Sequence, residues 1–79
     1  MAVTVRLFAA ARAAAGVSQL EVAAGSVQGI LDSLVKIHPA LRQVLPQCSY
    51  LLDELALHDL GFQVNDGSTL DILPPFAGG

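Results

Sequence analysis

The first residues of the chain alternate between apolar side chains and side chains of mixed character. From Val3 to Phe8, the side chains of Val3, Val5 and Leu7 fall on one face and the intervening residues fall on the other. A period of two is typical of a β-strand with one buried face. We therefore predict that the chain opens with a strand whose odd-numbered residues lie in the core.

A short helix and a second strand are predicted next. Residues 9–15 are six alanines and one arginine, which favour a helix, but Gly16 ends the segment after at most two turns. In residues 18–23, Leu20 and Val22 fall on one side of an alternating pattern, which predicts a strand. The two strands are expected to form a hairpin-like pair with a wide loop between them.

The clearest helical pattern begins after Ser26. Five apolar residues follow the i, i+3, i+4, i+7, i+8 spacing of one buried stripe, namely Val27, Ile30, Leu31, Leu34 and Val35. The Ser26 hydroxyl is suited to cap this helix by accepting a hydrogen bond from a backbone N–H of the first turn. Pro39 disfavours the α conformation at His38, so we predict that the helix ends there.

The second half of the chain contains short apolar segments separated by turn residues. Residues 39–46 predict a helical turn or loop, and residues 48–57 predict one strand, or two if Asp53 and Glu54 form a turn. The residues Asn65-Asp66-Gly67 favour a turn because they tolerate positive φ. Residues 69–73 predict a last strand, which two prolines end because proline cannot donate to a sheet ladder.

Strands on both sides of one amphipathic helix indicate an α+β fold, with a sheet of four to five strands packed on one main helix. The chain has 79 residues, which is enough for one domain. We therefore interpret residues 1–79 as a single domain in which residues 74–79 form an extended tail.

Charge and composition exclude several classes of function. The net charge is −3 and the four basic residues are scattered, so no basic stripe marks a nucleic-acid site. No segment approaches the roughly 20 apolar residues of a membrane span. The apolar segment between Arg6 and Arg12 is also too short for a signal peptide. We expect a soluble, cytoplasmic protein with no membrane or nucleic-acid partner.

The cysteine and histidine residues give no sign of a catalytic or metal site. Cys48 is the single cysteine, so no internal disulfide is possible, and no neighbouring His or Lys would activate its thiol. His38 and His58 have no cysteine or carboxylate at metal-ligand spacing. We predict a structural role for Cys48 and no metal site.

The last residues carry the most specific signal. After Leu73 the sequence reads Pro74-Pro75-Phe76-Ala77-Gly78-Gly79. Prolines keep the exit extended, and glycines leave a backbone without Cβ atoms that can enter a narrow channel. Six residues at about 3.3–3.6 Å each reach roughly 20 Å. The predicted flexible tail is therefore long enough to place its carboxylate inside another protein's active site.

The chemistry of that carboxylate suggests what the tail does. A terminal carboxyl group has an ordinary pKa of about 3.3–3.7, so it is ionised at neutral pH and is a poor acceptor for a nucleophile. Activation by ATP as an acyl-adenylate would let it accept sulfur and become a thiocarboxylate, which is a good nucleophile. Gly79, preceded by Gly78, is the candidate reactive residue.

Three segments together resemble the small subunit of molybdopterin synthase, a ubiquitin-like sulfur carrier related to the thiamine sulfur carrier. Residues 66–79, DGSTLDILPPFAGG, match the closing signature of that family and are the most specific of the three. Residues 5–12, VRLFAAAR, match its first strand and the following loop, and residues 26–34 match the start of its helix. The chain departs from the family pattern at Ser68 and Phe76, and residues 48–62 match it poorly.

The resemblance implies a β-grasp, ubiquitin-like fold with a mixed sheet. It implies that an adenylyltransferase related to ubiquitin-activating enzymes adenylates Gly79 with ATP, and that a sulfur donor protein then supplies the sulfur of a thiocarboxylate. It also implies that the sulfur is delivered inside the large catalytic subunit of molybdopterin synthase. The chain would be a co-substrate in molybdenum cofactor biosynthesis, not an enzyme on its own, and would bind no cofactor.

Partner-binding residues are predicted beside the tail. If the first and last strands are neighbours, as in β-grasp folds, Phe8 and Leu73 form an outward apolar patch, and Leu57 joins it if its strand has the matching phase. Arg12 is suited to steer acidic or phosphate groups of a partner. The predicted partner-binding set is Phe8, Arg12, Leu57, Leu73, Pro74, Pro75, Phe76 and Ala77.

Other functions stay open on the sequence. The first is a sulfur carrier for thiamine thiazole or cysteine synthesis, although the Pro-Pro-x-x-Gly-Gly ending favours the molybdopterin pathway. The second is a protein modifier that is conjugated to lysines, as ubiquitin is. The third is a β-grasp binding module with an inert tail, which deletion of Gly79 would separate from the others.

Overall fold

A computed structural model describes residues 2–75 of the chain. In chain order its elements are β1 (Val3–Leu7), α1 (Ala9–Ala15), β2 (Gln19–Val22), β3 (Gly25–Ser26), α2 (Val27–Ile37), two 3₁₀ turns (Pro39–Gln43 and Leu45–Gln47), β4 (Ser49–Leu52), β5 (Leu55–Leu57), β6 (Gln63–Val64) and β7 (Thr69–Leu73). The predictions that concern Phe76, Ala77, Gly78 and Gly79 lie outside the described residues.

Five of the strands form one mixed sheet in the order β2-β1-β7-β4-β5. β1 and β7 are parallel, whereas the other neighbouring pairs are antiparallel. The predicted alternation of β1 is confirmed, because Val3, Val5 and Leu7 are buried. The sheet therefore has an inner face that carries the core and an outer face that is left uncovered within residues 2–75.

The helix α2 packs on the inner face of this sheet, as its apolar stripe predicts. Val27, Ile30, Leu31 and Leu34 are buried. The predicted N-cap is confirmed, since the Ser26 Oγ accepts a hydrogen bond from the Gly29 N–H at 3.0 Å. The main-chain carbonyls of Leu60 and Phe62 accept from the first two N–H groups of the helix, at 2.8 and 3.0 Å. The loop before β6 thus helps to cap the N-terminus of α2.

The core is built mainly from aliphatic side chains of four elements. Strand β7 adds Leu70 and Ile72 to the inner residues of β1 and α2, and the first 3₁₀ turn adds Leu41, which is fully buried. Gly16 ends α1 in the left-handed region at φ 77° and donates its N–H to the Arg12 carbonyl at 2.8 Å. Both helices therefore end where the sequence predicted.

Two features of the second half resolve what the sequence left open. Asp53 and Glu54 have φ values of 47° and 72°, and they form the turn that divides residues 48–57 into β4 and β5. The pair β3 and β6 was not predicted, because strands of two residues show no periodicity.

No helix of the described part of the chain is both long and apolar enough to cross a membrane.

Candidate functional site: the outer sheet face and the tail exit

The parallel pairing of β1 and β7 places the first predicted binding residue beside the start of the tail. Leu7 lies opposite Ile72, and the Phe8 N–H donates to the Ile72 carbonyl at 3.1 Å. Phe8 has an extended backbone, with φ −128° and ψ 152°, so its side chain falls on the face opposite Leu7. Phe8 therefore follows Leu7 on the same side of the sheet where Leu73 follows Ile72, and both side chains are partly exposed. Their role in partner binding stays a prediction.

Two further apolar residues extend this surface across the sheet. Leu51 lies opposite Asp71 on one side and Ala56 on the other, so all three share the outer face. Leu51 is partly exposed and Ala56 is exposed. We call Phe8, Leu51, Ala56 and Leu73 the outer patch.

Leu57 does not belong to the outer patch, so its predicted position was wrong. Leu57 lies opposite Tyr50, which in turn lies opposite the core residue Ile72. The side chain of Leu57 therefore packs against the core on the inner face. The two-residue turn between β4 and β5 determines which face Leu57 occupies. It pairs Leu55 with Leu52, which is on the inner face, and Leu57 lies two positions further along the strand on that same face.

An ion pair lies at the centre of the outer face. Arg6 donates from Nε to Asp71 Oδ1 at 2.6 Å and from Nη2 to Oδ2 at 2.7 Å, which is a bidentate contact. The Asp71 side chain is 7% exposed and that of Arg6 is 44% exposed. The hydrogen bond with Asp71 and the charge of its carboxylate raise the pKa of Arg6. The Arg6 guanidinium therefore keeps its charge around neutral pH and lies partly open to solvent.

The same guanidinium contacts the aromatic ring of the outer patch. The Arg6 Cζ atom lies 5.8 Å from the centroid of the Phe8 ring, within the range of a cation–π contact. Arg6 is held by Asp71, and Phe8 is held by its own backbone hydrogen bond to β7. The Phe8 backbone is thus held by β7, and one side of its ring lies against a guanidinium that is itself held in place, which restricts the side chain before a partner binds.

The remainder of the outer face is polar. A cleft of about 410 Å³ is lined by Thr4, Arg6, Gln19, Asp53, Glu54, Thr69 and Asp71. The Asp53 carboxylate accepts a hydrogen bond from the Thr69 N–H at 2.9 Å, which ties the β4–β5 turn to β7. The outer face is therefore divided into an apolar half next to the tail and a charged half away from it.

The chain leaves the sheet at the apolar half. Leu73 is the last residue of β7 and lies opposite Ser49, and Pro74 and Pro75 after it are exposed. Arg12 is the fourth residue of α1, five residues beyond the end of β1, and is exposed. The partner-binding roles of Arg12, Pro74 and Pro75 stay predictions, as do the roles of the residues beyond them.

Cys48 has the environment of a structural thiol. Its Sγ donates to the Val44 carbonyl at 3.3 Å, and burial raises the pKa of the thiol. A raised pKa disfavours the nucleophilic thiolate at neutral pH. Among residues 2–75, no three His, Cys, Asp or Glu side chains are grouped as metal ligands.

Arg6, Asp71, Leu51 and Ala56 were missed as site residues. The signal for the ion pair was available, since Arg6 and Asp71 each precede a predicted patch residue by two positions on its strand. No such signal existed for Leu51, because residues 50–52 are all apolar and do not alternate. Only the register with β7 shows that Leu51 faces outward.

Comparison with known proteins places the chain in a family. The model of the ThiS family matches residues 5–79, nearly the whole chain. The chain belongs to the ThiS family. It is a ubiquitin-like sulfur carrier, in agreement with the closing signature at residues 66–79. No curated protein matches this ThiS-family chain.

Solved structures agree with this assignment. The chain resembles the small archaeal modifier protein 1 of Methanosarcina acetivorans, with 29% identity and a TM-score of 0.86 over 99% of this chain and 96% of that one. It also resembles a chain of the Amycolatopsis orientalis BexX/CysO complex, with 26% identity and a TM-score of 0.82 over 98% and 99%. The predicted β-grasp fold of this ThiS-family chain is confirmed.

A third structure shares the fold at lower identity. It is a complex of subunits 1 and 2 of the molybdopterin-converting factor from Helicobacter pylori, with 23% identity and a TM-score of 0.74 over the full length of both chains. Both this structure and the BexX/CysO structure contain a small β-grasp chain bound to another protein. Two proteins that share this fold are thus found in complex with another protein.

Proposed function

We propose that this ThiS-family chain is the sulfur carrier of molybdenum cofactor biosynthesis, and that it works as the small subunit of a molybdopterin synthase. The proposal rests mainly on one observation. Strand β7 lies next to β1, so the tail that ends at Gly79 starts beside the preorganised ring of Phe8. A partner that binds the outer patch would receive the tail in a defined direction.

The proposed reaction begins at the carboxylate of Gly79. In an adenylyltransferase, a carboxylate oxygen attacks the α-phosphorus of ATP, and pyrophosphate leaves. Sulfide supplied by a sulfur donor protein then attacks the acyl carbon and displaces AMP, which leaves a thiocarboxylate. In the large catalytic subunit, the thiocarboxylate sulfur bonds to a carbon of the pterin precursor and displaces an oxygen substituent. Water then cleaves the bond between that sulfur and the Gly79 acyl carbon, which regenerates the carboxylate. The chain supplies the reacting terminus and the docking surface, and its partners supply the catalytic side chains.

The closing sequence supports the molybdopterin pathway among the possible acceptors. Residues 66–79 match the closing signature of molybdopterin synthase small subunits, including both prolines and both glycines. The fold shared with the Helicobacter pylori subunit is compatible with this assignment. The outer patch, with Phe8, Leu51, Ala56 and Leu73, offers an apolar centre of the kind that protein interfaces use.

An intact-mass experiment tests the carrier role. The pure protein is incubated with ATP, a ubiquitin-activating-like adenylyltransferase and a sulfur donor protein. We expect a mass gain equal to the exchange of one oxygen for one sulfur, and no gain in a variant that lacks Gly79. If the full chain gains no mass with several competent activating enzymes, the β-grasp binding module with an inert tail becomes the better assignment.

The acceptor is identified in a second step with the thiocarboxylated protein. It is offered separately to the large subunit of molybdopterin synthase with its precursor, to a thiazole-forming system and to a cysteine-forming system. We expect sulfur transfer only in the first. Transfer in one of the other two systems would replace the molybdopterin assignment but keep the carrier role.

A second candidate function is covalent protein modification. It is favoured by the similarity over nearly full length to a small archaeal modifier protein. Both functions begin with the same acyl-adenylate, and they differ in whether sulfide or a lysine amine displaces AMP. Conjugates in which Gly79 is joined to lysine through an isopeptide bond, detected by mass spectrometry after digestion, would support the modifier.

A further inference from the structure

A second surface lies on the side of the molecule away from the outer patch. It is a groove of about 750 Å³ between α2, the two 3₁₀ turns and β4. Its floor is apolar and includes Leu31, Val35, Leu45 and Tyr50. The Tyr50 hydroxyl donates to the Leu45 carbonyl at 2.7 Å, so the ring presents its apolar faces without an unsatisfied polar group. A partner bound to the outer face would leave this groove open.

The rim of the groove is positively charged although the chain is acidic. The chain has a net charge of −3 and four basic residues, and two of the four, Lys36 and Arg42, line the groove. Its one acidic lining residue, Asp32, accepts a hydrogen bond from Gln28 Nε2 at 3.0 Å. Arg6, in contrast, is paired with Asp71 on the other face. The groove therefore favours a ligand that combines an apolar side chain with a carboxylate.

The spacing of these features matches the end of the chain itself. Along α2, Leu31 and Lys36 are five residues apart, which at about 1.5 Å each gives roughly 8 Å, and the Lys36 side chain can extend beyond that point. An extended backbone from Phe76 to Gly79 spans about 10 Å. An aromatic ring at Leu31 would thus leave a terminal carboxylate near Lys36 and Arg42. The guanidinium of arginine can bind a carboxylate with two hydrogen bonds.

We propose that this groove binds the C-terminal tail of a second copy of the chain, with the Phe76 ring on the apolar floor and the Gly79 carboxylate between Lys36 and Arg42. A second copy is favoured over the chain's own tail because Pro74 and Pro75 keep the backbone extended as it leaves β7. The contact is head-to-tail, so its two sides are different surfaces.

Tail binding of this kind would shelter the reactive end when no partner is bound. A six-residue tail buries far less than the roughly 1,000 Å² of a stable interface, so the contact is weak and dissociates readily. An activating enzyme at ordinary concentration would then take the tail without competition from a tight complex. The contact would matter where the chain is concentrated.

Peptide titration tests the proposal. A synthetic peptide of residues 73–79 with a free carboxylate is added to the ¹⁵N-labelled full chain. We expect saturable shifts of the amide signals of Val35, Lys36, Arg42 and Tyr50. The same peptide with a C-terminal amide, or with alanine in place of phenylalanine, should bind at least about tenfold more weakly, because each removes one of the two recognised groups. The double variant Lys36→Gln/Arg42→Gln should weaken binding of the free-acid peptide to a similar extent.

Each other outcome would overturn the proposal. No saturable shift at millimolar peptide, or shifts confined to Phe8, Leu51 and Leu73, would show that the groove is not the tail site. Equal binding of the acid and amide peptides would exclude the role of Lys36 and Arg42. If a variant that ends at Pro75 shifts the groove signals independently of protein concentration, and the free peptide does not bind the full chain, the groove holds the chain's own tail.

Discussion

At the scale of single residues, Phe8 shows how local contacts prepare a docking surface. Its N–H is bound to the Ile72 carbonyl, and its ring lies against the guanidinium of Arg6, which Asp71 holds with two hydrogen bonds. A side chain that is ordered before binding loses less conformational entropy when a partner covers it. Phe8 therefore has the properties of an anchor residue in an interface.

Replacing Phe8 should weaken the carrier as a substrate without unfolding it. We expect Phe8→Ala to raise the carrier concentration needed for half-maximal thiocarboxylate formation by at least about fivefold, which corresponds to about 1 kcal/mol. The matched control is Leu55→Ala, since Leu55 is 73% exposed but lies outside the outer patch. Equal effects of the two variants would exclude a specific role for Phe8.

The thiol of Cys48 should react slowly in the folded protein. Burial raises its pKa, so the fraction of thiolate at neutral pH is below that of an ordinary cysteine. Alkylation by iodoacetamide, followed by mass spectrometry, should be slow at neutral pH, accelerate as the pH rises above the ordinary thiol pKa of about 8.5, and become fast in denaturant. Fast alkylation of the folded chain at neutral pH would contradict a structural role.

The same shift predicts a small dependence of stability on pH. The folded pKa lies above the unfolded value of about 8.5, so the folded state favours the protonated thiol. The free energy of unfolding is therefore unaffected by the titration of Cys48 below the unfolded pKa, and it falls as the pH rises from the unfolded pKa through the folded pKa. When unfolding is measured over the same alkaline range, Cys48→Ala should lose less stability than the unaltered protein. The part of the loss that comes from Tyr50, whose pKa is also raised by burial, should remain.

At the scale of elements, the turn between β4 and β5 determines what the sheet presents. Both of its central residues, Asp53 and Glu54, have positive φ, the pattern of a type I′ turn, and glycine is usual at the second position. The turn is held by Asp53, which bonds Thr69 through its N–H and through its carboxylate. Because it contains two residues, it places Leu51 and Ala56 on the outer face and Leu57 on the inner face.

Glycine at the second turn position should stabilise the protein. A non-glycine residue in the left-handed region destabilises the folded state by roughly 1–2 kcal/mol, and glycine avoids this cost. Glycine also gives the unfolded chain more conformational freedom, which offsets part of the gain. We expect Glu54→Gly to raise the free energy of unfolding by about 1 kcal/mol in a urea titration. Glu54→Ala also removes the carboxylate but keeps a Cβ atom, so it should give no comparable gain. A gain shared by both variants would point to charge instead of backbone conformation.

At the scale of the whole molecule, one sheet separates two surfaces with different chemistry. The outer face carries the patch and the charged cleft, and the helix side carries the positively charged groove. Both depend on a single small core in which α2 packs on β1 and β7. A domain of this size has a free energy of unfolding of roughly 4–12 kcal/mol, so one core contact is a large part of it.

Truncation of a central core residue should therefore affect both surfaces together. Leu34 is fully buried on α2, and we expect Leu34→Ala to lower the free energy of unfolding by about 2–5 kcal/mol. Thiocarboxylate formation and tail-peptide binding should be lost at the same temperature, that of unfolding. Loss of one at a lower temperature than the other would show that the two surfaces do not unfold as one unit.

The sequence by itself determined the elements with local periodicity and the chemistry of the closing segment. The buried stripe from Val27 to Val35, the cap at Ser26 and the signature at residues 66–79 depend on residues that are near one another in the chain, so a pattern can reveal them. The turn at Asp53 and Glu54 was left as one of two possibilities, because a continuous apolar run shows no period.

Only the tertiary structure decided what the elements place together. Arg6 and Asp71 are 65 positions apart, and their bidentate pairing exists because β1 and β7 are neighbours in register. The pairing register also places Leu57 on the inner face and Leu51 on the outer face, because a shift of one residue in the register exchanges the two faces of a strand. The groove between α2 and β4 likewise arises from packing between segments that are distant in the chain, and no local pattern encodes it.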